Sequence, residues 1–139
     1  VSSLISLADV RNWLESLGVA ENYYVGKLDN KKENSIGVYQ LKDSSPPRFG
    51  LGGYDLSSYE QKGISLLVHW NKNAVETEEK AWEIYQEILH AKDLVIGKHA
   101  VQFLTLNTRE PVDVGTDDNH IYERVIEFVI YFDKKESEE

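Results

Sequence analysis

The chain has 139 residues, 41% of them hydrophobic and 28% charged, which is the size and balance of one globular domain. With 15 Lys+Arg against 24 Asp+Glu the net charge is -9, so the surface repels a phosphate backbone, which argues against sequence-specific DNA binding. Cysteine is absent, removing disulfides, thiolate nucleophiles and thiolate metal sites together, and no apolar run reaches the roughly eighteen residues of a transmembrane helix.

Leu7, Val10, Trp13, Leu14 and Leu17 recur at helical spacing and predict a first helix with one buried face. Ser6 is its N-cap with Asp9 as capping-box partner, and Gly18 is placed to end it in the left-handed conformation. Asn22 to Leu28 predicts a strand, the polar run Asp29 to Asn34 a turn, and Ser35 to Leu41 the second arm of a hairpin. From Lys42 to Glu60 the pattern stops: Ser44-Ser45-Pro46-Pro47 and Gly50, Gly52 and Gly53 predict a long loop, either a working part or disordered.

Gly63 to Trp70 (GISLLVHW) is the most apolar strand and is expected at the centre of a sheet. Ile64, Leu66, Val68 and Trp70 share one face; Ser65, Leu67 and His69 share the other. A second helix follows, capped by Thr77 or a near neighbour, with Glu76, Glu78 and Glu79 at the positive end of its dipole and His90 and Lys92 at the negative end. Its buried stripe is Ala81, Ile84, Tyr85, Ile88 and Leu89. His99 to Leu106 and Ile121 to Phe132 predict two more strands, the latter with Tyr122, Ile126, Phe128, Ile130 and Phe132 on one face. Residues 1–133 read as a single domain and Lys134 to Glu139 as a charged, disordered tail.

This order predicts an α+β fold: a mostly antiparallel β-sheet with two α-helices packed on one face. The other face needs cover, which a neighbouring subunit, a curved sheet or the long loop could supply.

The segment Pro111 to His120 holds Asp113, Asp117, Asp118, Asn119 and His120, an oxygen-rich set suited to Mg²⁺ or Ca²⁺. Its spacing fits no calcium loop, and Asp, Asn and Gly are also what a tight turn selects, so the preferred reading is a solvated turn. His69, His90, His99 and His120 form no short metal-ligand spacing. Ser57, Ser58 and Ser65 lack a G-x-S-x-G elbow, and Gly50-Leu51-Gly52-Gly53 lacks the Lys-Ser/Thr of a phosphate loop. Glu76, Glu78 and Glu79 are explained by the helix start rather than by acid/base chemistry. Trp70 and Trp82 are expected in the core between the central strand and the helix after it. No enzyme signature and no cofactor motif emerges.

Residues 63–73 (GISLLVHWNKN) with Glu76-Thr77-Glu78-Glu79, the run PVDVGTDDNHIYERVIEFVIYF at 111–132, and more loosely IGVYQLKDSSPP at 36–47 resemble segments of the minor capsid proteins of tailed phages and prophages of Gram-positive bacteria. The chain resembles the tail-terminator group of these head–tail joining proteins. That resemblance implies a sheet with two helices, no catalysis and no cofactor. It also implies a homo-oligomeric ring at the virion's head–tail junction, expected as a hexamer, made in the host cytoplasm and contacting no membrane. Its partners would be other copies of itself, the tail-tube protein and the head connector proteins, with DNA passing through unbound. The candidate assembly surfaces are Pro46, Pro47, Arg48, Phe49 and Tyr54 in the long loop, and Asp113, Thr116, Asp117 and Asp118 in the later segment. Asp113, Asp117 and Asp118 from neighbouring subunits, if brought together, would need Mg²⁺ to relieve their repulsion. Alternatives are another head- or tail-completion protein, a small-molecule binding module using the open sheet face, and a metal-dependent nuclease or phosphatase built on the three aspartates.

Overall fold

The computed structural model of the chain describes residues 4–29, 31–42 and 59–134. The loop candidates Pro46, Pro47, Arg48, Phe49 and Tyr54, like the tail beyond Lys134, lie outside the described residues.

Helix α1 (Leu7–Leu17) begins and ends where its sequence directs. Ser6 Oγ accepts the Asp9 N–H and Asp9 Oδ2 accepts the Ser6 N–H, both at 3.0 Å, satisfying two N–H groups the first turn would leave unpaired. Gly18 stops the helix at φ 67°. Val10 and Leu14 are fully buried.

Strands β1 (Asn22–Val25) and β2 (Ser35–Gln40) do not form the expected hairpin. They pair parallel, Asn22 opposite Ser35 and Val25 opposite Val38, so the polar run between them carries the chain back instead of reversing it in place. Asn34, at φ 56°, fixes the return. Its N–H donates to Trp70 O at 2.8 Å, and its carbonyl accepts the N–H groups of Glu21 and Asn22 at 3.0 and 3.2 Å. On the way Leu28 is buried over the outer face of β2, its side chain 3.1 Å from where a Cβ on Gly37 would stand.

β3 (Tyr59–His69) starts four residues earlier than its apolar run suggests, and α2 (Ala74–Leu89) follows. Its cap is Asn73, whose Oδ1 accepts the N–H groups of Val75 and Glu76 at 3.0 and 3.1 Å. Thr77 is buried and donates back to Asn73 O at 2.9 Å. Ala81, Ile84, Tyr85 and Ile88 form the buried stripe, but Leu89 is 51% exposed. The remaining strands are β4 (Val95–Ile96), β5 (His99–Leu106), β6 (Val112–Thr116) and β7 (Tyr122–Asp133), of which β4 and β6 were not anticipated.

The sheet order is β1-β2-β3-β7-β5-β4, with β6 also paired to β7. Among the described residues only β1 and β2 pair in parallel; every other pair is antiparallel. One edge of β7 runs against β3 from Tyr59↔Asp133 to His69↔Glu123; the other is shared end to end by β5 and β6. Ile64, Leu66 and Val68 of β3 and Ile126, Phe128, Ile130 and Phe132 of β7 form one buried cluster with Val10 and Leu14 of α1 and Ile84 and Ile88 of α2. Both helices therefore cover one face, as an α+β fold requires. Trp13 meets Phe128 edge-on with centroids 6.5 Å apart.

Trp82 is not in this core. It is 46% exposed and lies stacked on Tyr85, centroids 5.2 Å apart, because the position after Ala81 turns about 100° away from the buried stripe. Trp70 is half-buried against the core, with Lys80 Nζ 5.2 Å from its ring centroid.

Candidate functional site

The segment expected to be a solvated turn is one over Asp117 to His120, but Val112–Thr116 before it is a strand, the first arm of a hairpin. β6 pairs with the start of β7, Val112 opposite Val125 and Asp113 opposite Arg124. The register then slips, so that Val114 and Gly115 face Glu123 alone before Thr116 meets Tyr122. Gly115 takes φ 87° in this bulge and donates its N–H to Asp113 Oδ1 at 2.8 Å. Every residue of β6 is exposed, Val112 at 44% and Val114 at 49%. Among the described residues β7 is its only strand partner, so its other edge offers unpaired backbone groups.

Arg124 ties the base of the hairpin to its surroundings. Its Nη2 lies 3.9 Å from Asp113 Oδ2 and 4.0 Å from Glu78 Oε2. These pairs are half in solvent and add little stability, but they set Asp113 against α2.

Asp117 builds the turn. Its Oδ1 accepts the N–H groups of Asn119 and Ile121 at 2.9 and 3.0 Å, and its carbonyl accepts that of His120, which sits at φ 65°. This holds Oδ2 pointing beneath the hairpin, where it is buried without a hydrogen-bond partner. His69 lies there, fully buried on the sheet face opposite the helices, and its Nδ1 donates to Glu123 Oε2 at 2.8 Å. Asp117 Oδ2 is 3.7 Å from the same nitrogen. Nearby, burial raises the Tyr39 hydroxyl pKa above its ordinary value; the Glu123 charge adds to the effect and a backbone hydrogen bond with Leu28 opposes it.

The structure thus separates the three aspartates. Asp113 turns to Gly115 and Arg124, Asp118 is exposed, and only Asp117 points inward; within one chain they do not converge. Thr116 is exposed at the end of β6. The converging set among the described residues is His69, Asp117 and Glu123, whose candidate ligand atoms all lie within 4.8 Å of one another. Sequence reasoning missed His69 and Glu123 because they are neighbours only through β3–β7 pairing. The alternation that put His69 on the less apolar side of its strand was the available signal.

The other candidates among the described residues lie apart from one another. Glu76 is held by the Nδ2 groups of Asn71 and Asn73 at 3.0 and 3.2 Å, and His90 caps α2. His99 is buried and donates Nδ1–H to Asp133 O at 2.7 Å; His120 is exposed in its turn. Ser65 is half-buried on β3, while Ser57 and Ser58 lie outside the described residues. The sheet face away from the helices carries an aromatic file across three strands. Phe103 of β5 stacks on Tyr131 of β7 at 4.4 Å, and Tyr131 meets Tyr59 of β3 at 6.2 Å. Among the described residues no helix is long and apolar enough to cross a membrane.

The sequence pattern of the bacteriophage tail terminator protein family matches residues 5–134, from the residue before the Ser6 cap to the residue after β7. No curated protein matches the chain. The chain belongs to the bacteriophage tail terminator protein family and is a structural protein of the phage tail or neck.

Proposed function

We propose that the chain is a subunit of a closed, hexameric ring at the head–tail junction, which caps the tail tube and ends its growth. Cyclic closure joins two different surfaces of each subunit. The observation that carries the reading is β6, a wholly exposed edge strand bearing Val112 and Val114. Such a strand pairs readily with another chain unless something covers it. A neighbouring copy is the occupant that ring closure supplies. Asp113 and Thr116 lie on that strand and Asp118 in the turn just beyond it, with Asp117 Oδ2 buried. The loop holding Pro46, Pro47, Arg48, Phe49 and Tyr54 is the complementary surface. The ring's two ends meet the tail-tube protein and the head connector proteins. The net charge of -9 suits a lumen through which DNA moves without sticking.

Light scattering over a wide concentration range, with and without millimolar Mg²⁺, tests the reading, together with co-sedimentation on purified tails. A ring-sized species, or a monomer that assembles on tails, supports it. A monomer that ignores tails overturns it.

A further inference from the structure

Three side chains from distant parts of the chain meet under the β6–β7 hairpin, and their hydrogen bonding does not balance. His69 Nδ1 lies 2.8 Å from Glu123 Oε2 and 3.7 Å from Asp117 Oδ2. A neutral imidazole has one proton to give there, and Glu123 receives it at the shorter distance. Asp117 Oδ2 is then a buried carboxylate oxygen without a hydrogen bond, held in place because Oδ1 is engaged by Asn119 and Ile121. Two carboxylates converge on one ring nitrogen, with side-chain exposures of 13% and 16% against 0% for His69. Solvent screens their mutual repulsion poorly at that depth.

We propose that His69 Nδ1, Asp117 Oδ2 and Glu123 Oε2 are three ligands of one divalent transition-metal ion of the zinc class. An ion seated on Nδ1, with the imidazole proton moved to Nε2, gives every one of these atoms a partner at once. Zinc bonds of about 2.0–2.2 Å in tetrahedral geometry set ligand atoms roughly 3.4 Å apart. The separations of 2.8 and 3.7 Å lie on either side of that spacing, and the three candidate ligand atoms all lie within 4.8 Å of one another. The imidazole decides the class: it suits zinc, copper, nickel or iron, whereas Mg²⁺ and Ca²⁺ prefer all-oxygen sets. Asp117, already oriented by two backbone N–H groups, is a ligand with its outer contacts in place. The ion would pin the hairpin turn to the end of β3 and so fix the stance of β6. The site is complete in one chain, so it does not depend on the ring proposed above.

The experiment is a calorimetric titration of EDTA-stripped protein with ZnCl₂ at pH 7.5, paralleled by melting curves. The wild type should bind one equivalent per chain at micromolar or tighter affinity and melt higher with zinc; MgCl₂ at the same concentration should do neither. Asp117→Asn, which keeps the side-chain shape, and His69→Ala should each weaken zinc binding at least tenfold. Should His69→Ala fail to fold, Asp117→Asn alone decides. A double variant His90→Gln/His120→Gln removes exposed imidazoles and should still bind one equivalent. No binding by the wild type at 100 μM zinc overturns the proposal. So does unchanged affinity in Asp117→Asn, or loss of the equivalent in the His90→Gln/His120→Gln variant.

Discussion

Gly97 and Asp9 stand so close that a Cβ built on the glycine would lie 2.7 Å from Asp9 Oδ2. The turn between β4 and β5 thus presses bare backbone against the first turn of α1, where Asp9 completes the capping box. Gly97 also takes φ 63°, which costs an L-residue about 1–2 kcal/mol. Gly97→Ala should therefore destabilise the fold by about 2–3 kcal/mol, strain and cap disruption together. Ser6→Ala, which loses the cap alone, should cost about 1 kcal/mol. Urea unfolding of the two variants side by side checks the order, and a Gly97→Ala loss smaller than that of Ser6→Ala would remove the contact from the account.

The two faces of α2 predict unequal aromatic losses. Phe128 is fully buried beneath both helices, and Phe128→Ala should cost about 3–5 kcal/mol. Trp82 is half-exposed and contributes chiefly its stacking on Tyr85, so Trp82→Ala should cost about 0.5–1.5 kcal/mol. Equal losses in denaturant titrations would put the Trp82 indole in the core.

Tyr39 carries a pH signature. Burial, then the Glu123 charge, raise its pKa in the folded chain above the unfolded value of about 10. The unfolded chain therefore gives up this proton first as the solution becomes alkaline. Stability linked to Tyr39 is fully present below the unfolded pKa and is lost as pH rises through the higher folded one. Tyrosinate absorbance should show a late-titrating component that Tyr39→Phe abolishes, and the variant should lose stability less steeply above about pH 10.

For the edge of β6, Val114→Lys should leave thermal stability nearly unchanged, since Val114 is 49% exposed. A lysine on an unpaired edge discourages strand addition, so the same variant should shift light-scattering mass toward monomer or abolish assembly on tails. Undiminished assembly would move the interface elsewhere.

Features written in local sequence were legible. Ser6, Asp9 and Gly18 declare α1 because capping and left-handed termination are decided within a few residues. Ile64, Leu66 and Val68, matched by Ile126, Phe128 and Ile130, declare the central strands by alternation. What failed depends on partners remote in the chain. The direction of β1 against β2 follows from Asn34 bonding to Trp70, which no local pattern records. β6 hid behind Asp113 and Gly115, turn residues here serving a bulge. Of the inward-facing cluster, only Asp117 lay in the oxygen-rich segment; His69 and Glu123 are joined to it by sheet register. The buried stripe of α2 is legible in its spacing, but Trp82, expected in the core from the strand–helix pattern, stands one position past Ala81 and so about 100° off that stripe.

β7 comes last among the strands in chain order and yet lies between β3 and β5. A nascent chain emerging from the ribosome therefore holds its earlier strands as three separate groups, β1 to β3, β4 with β5, and β6 alone, with no ladder between them among the described residues. Only when residues 122–133 are free can β7 slide between the groups and join them. The sheet is accordingly completed only once β7 is free, and a ribosome stalled before Tyr122 would leave a chain with bare sheet edges for chaperones or proteases to find.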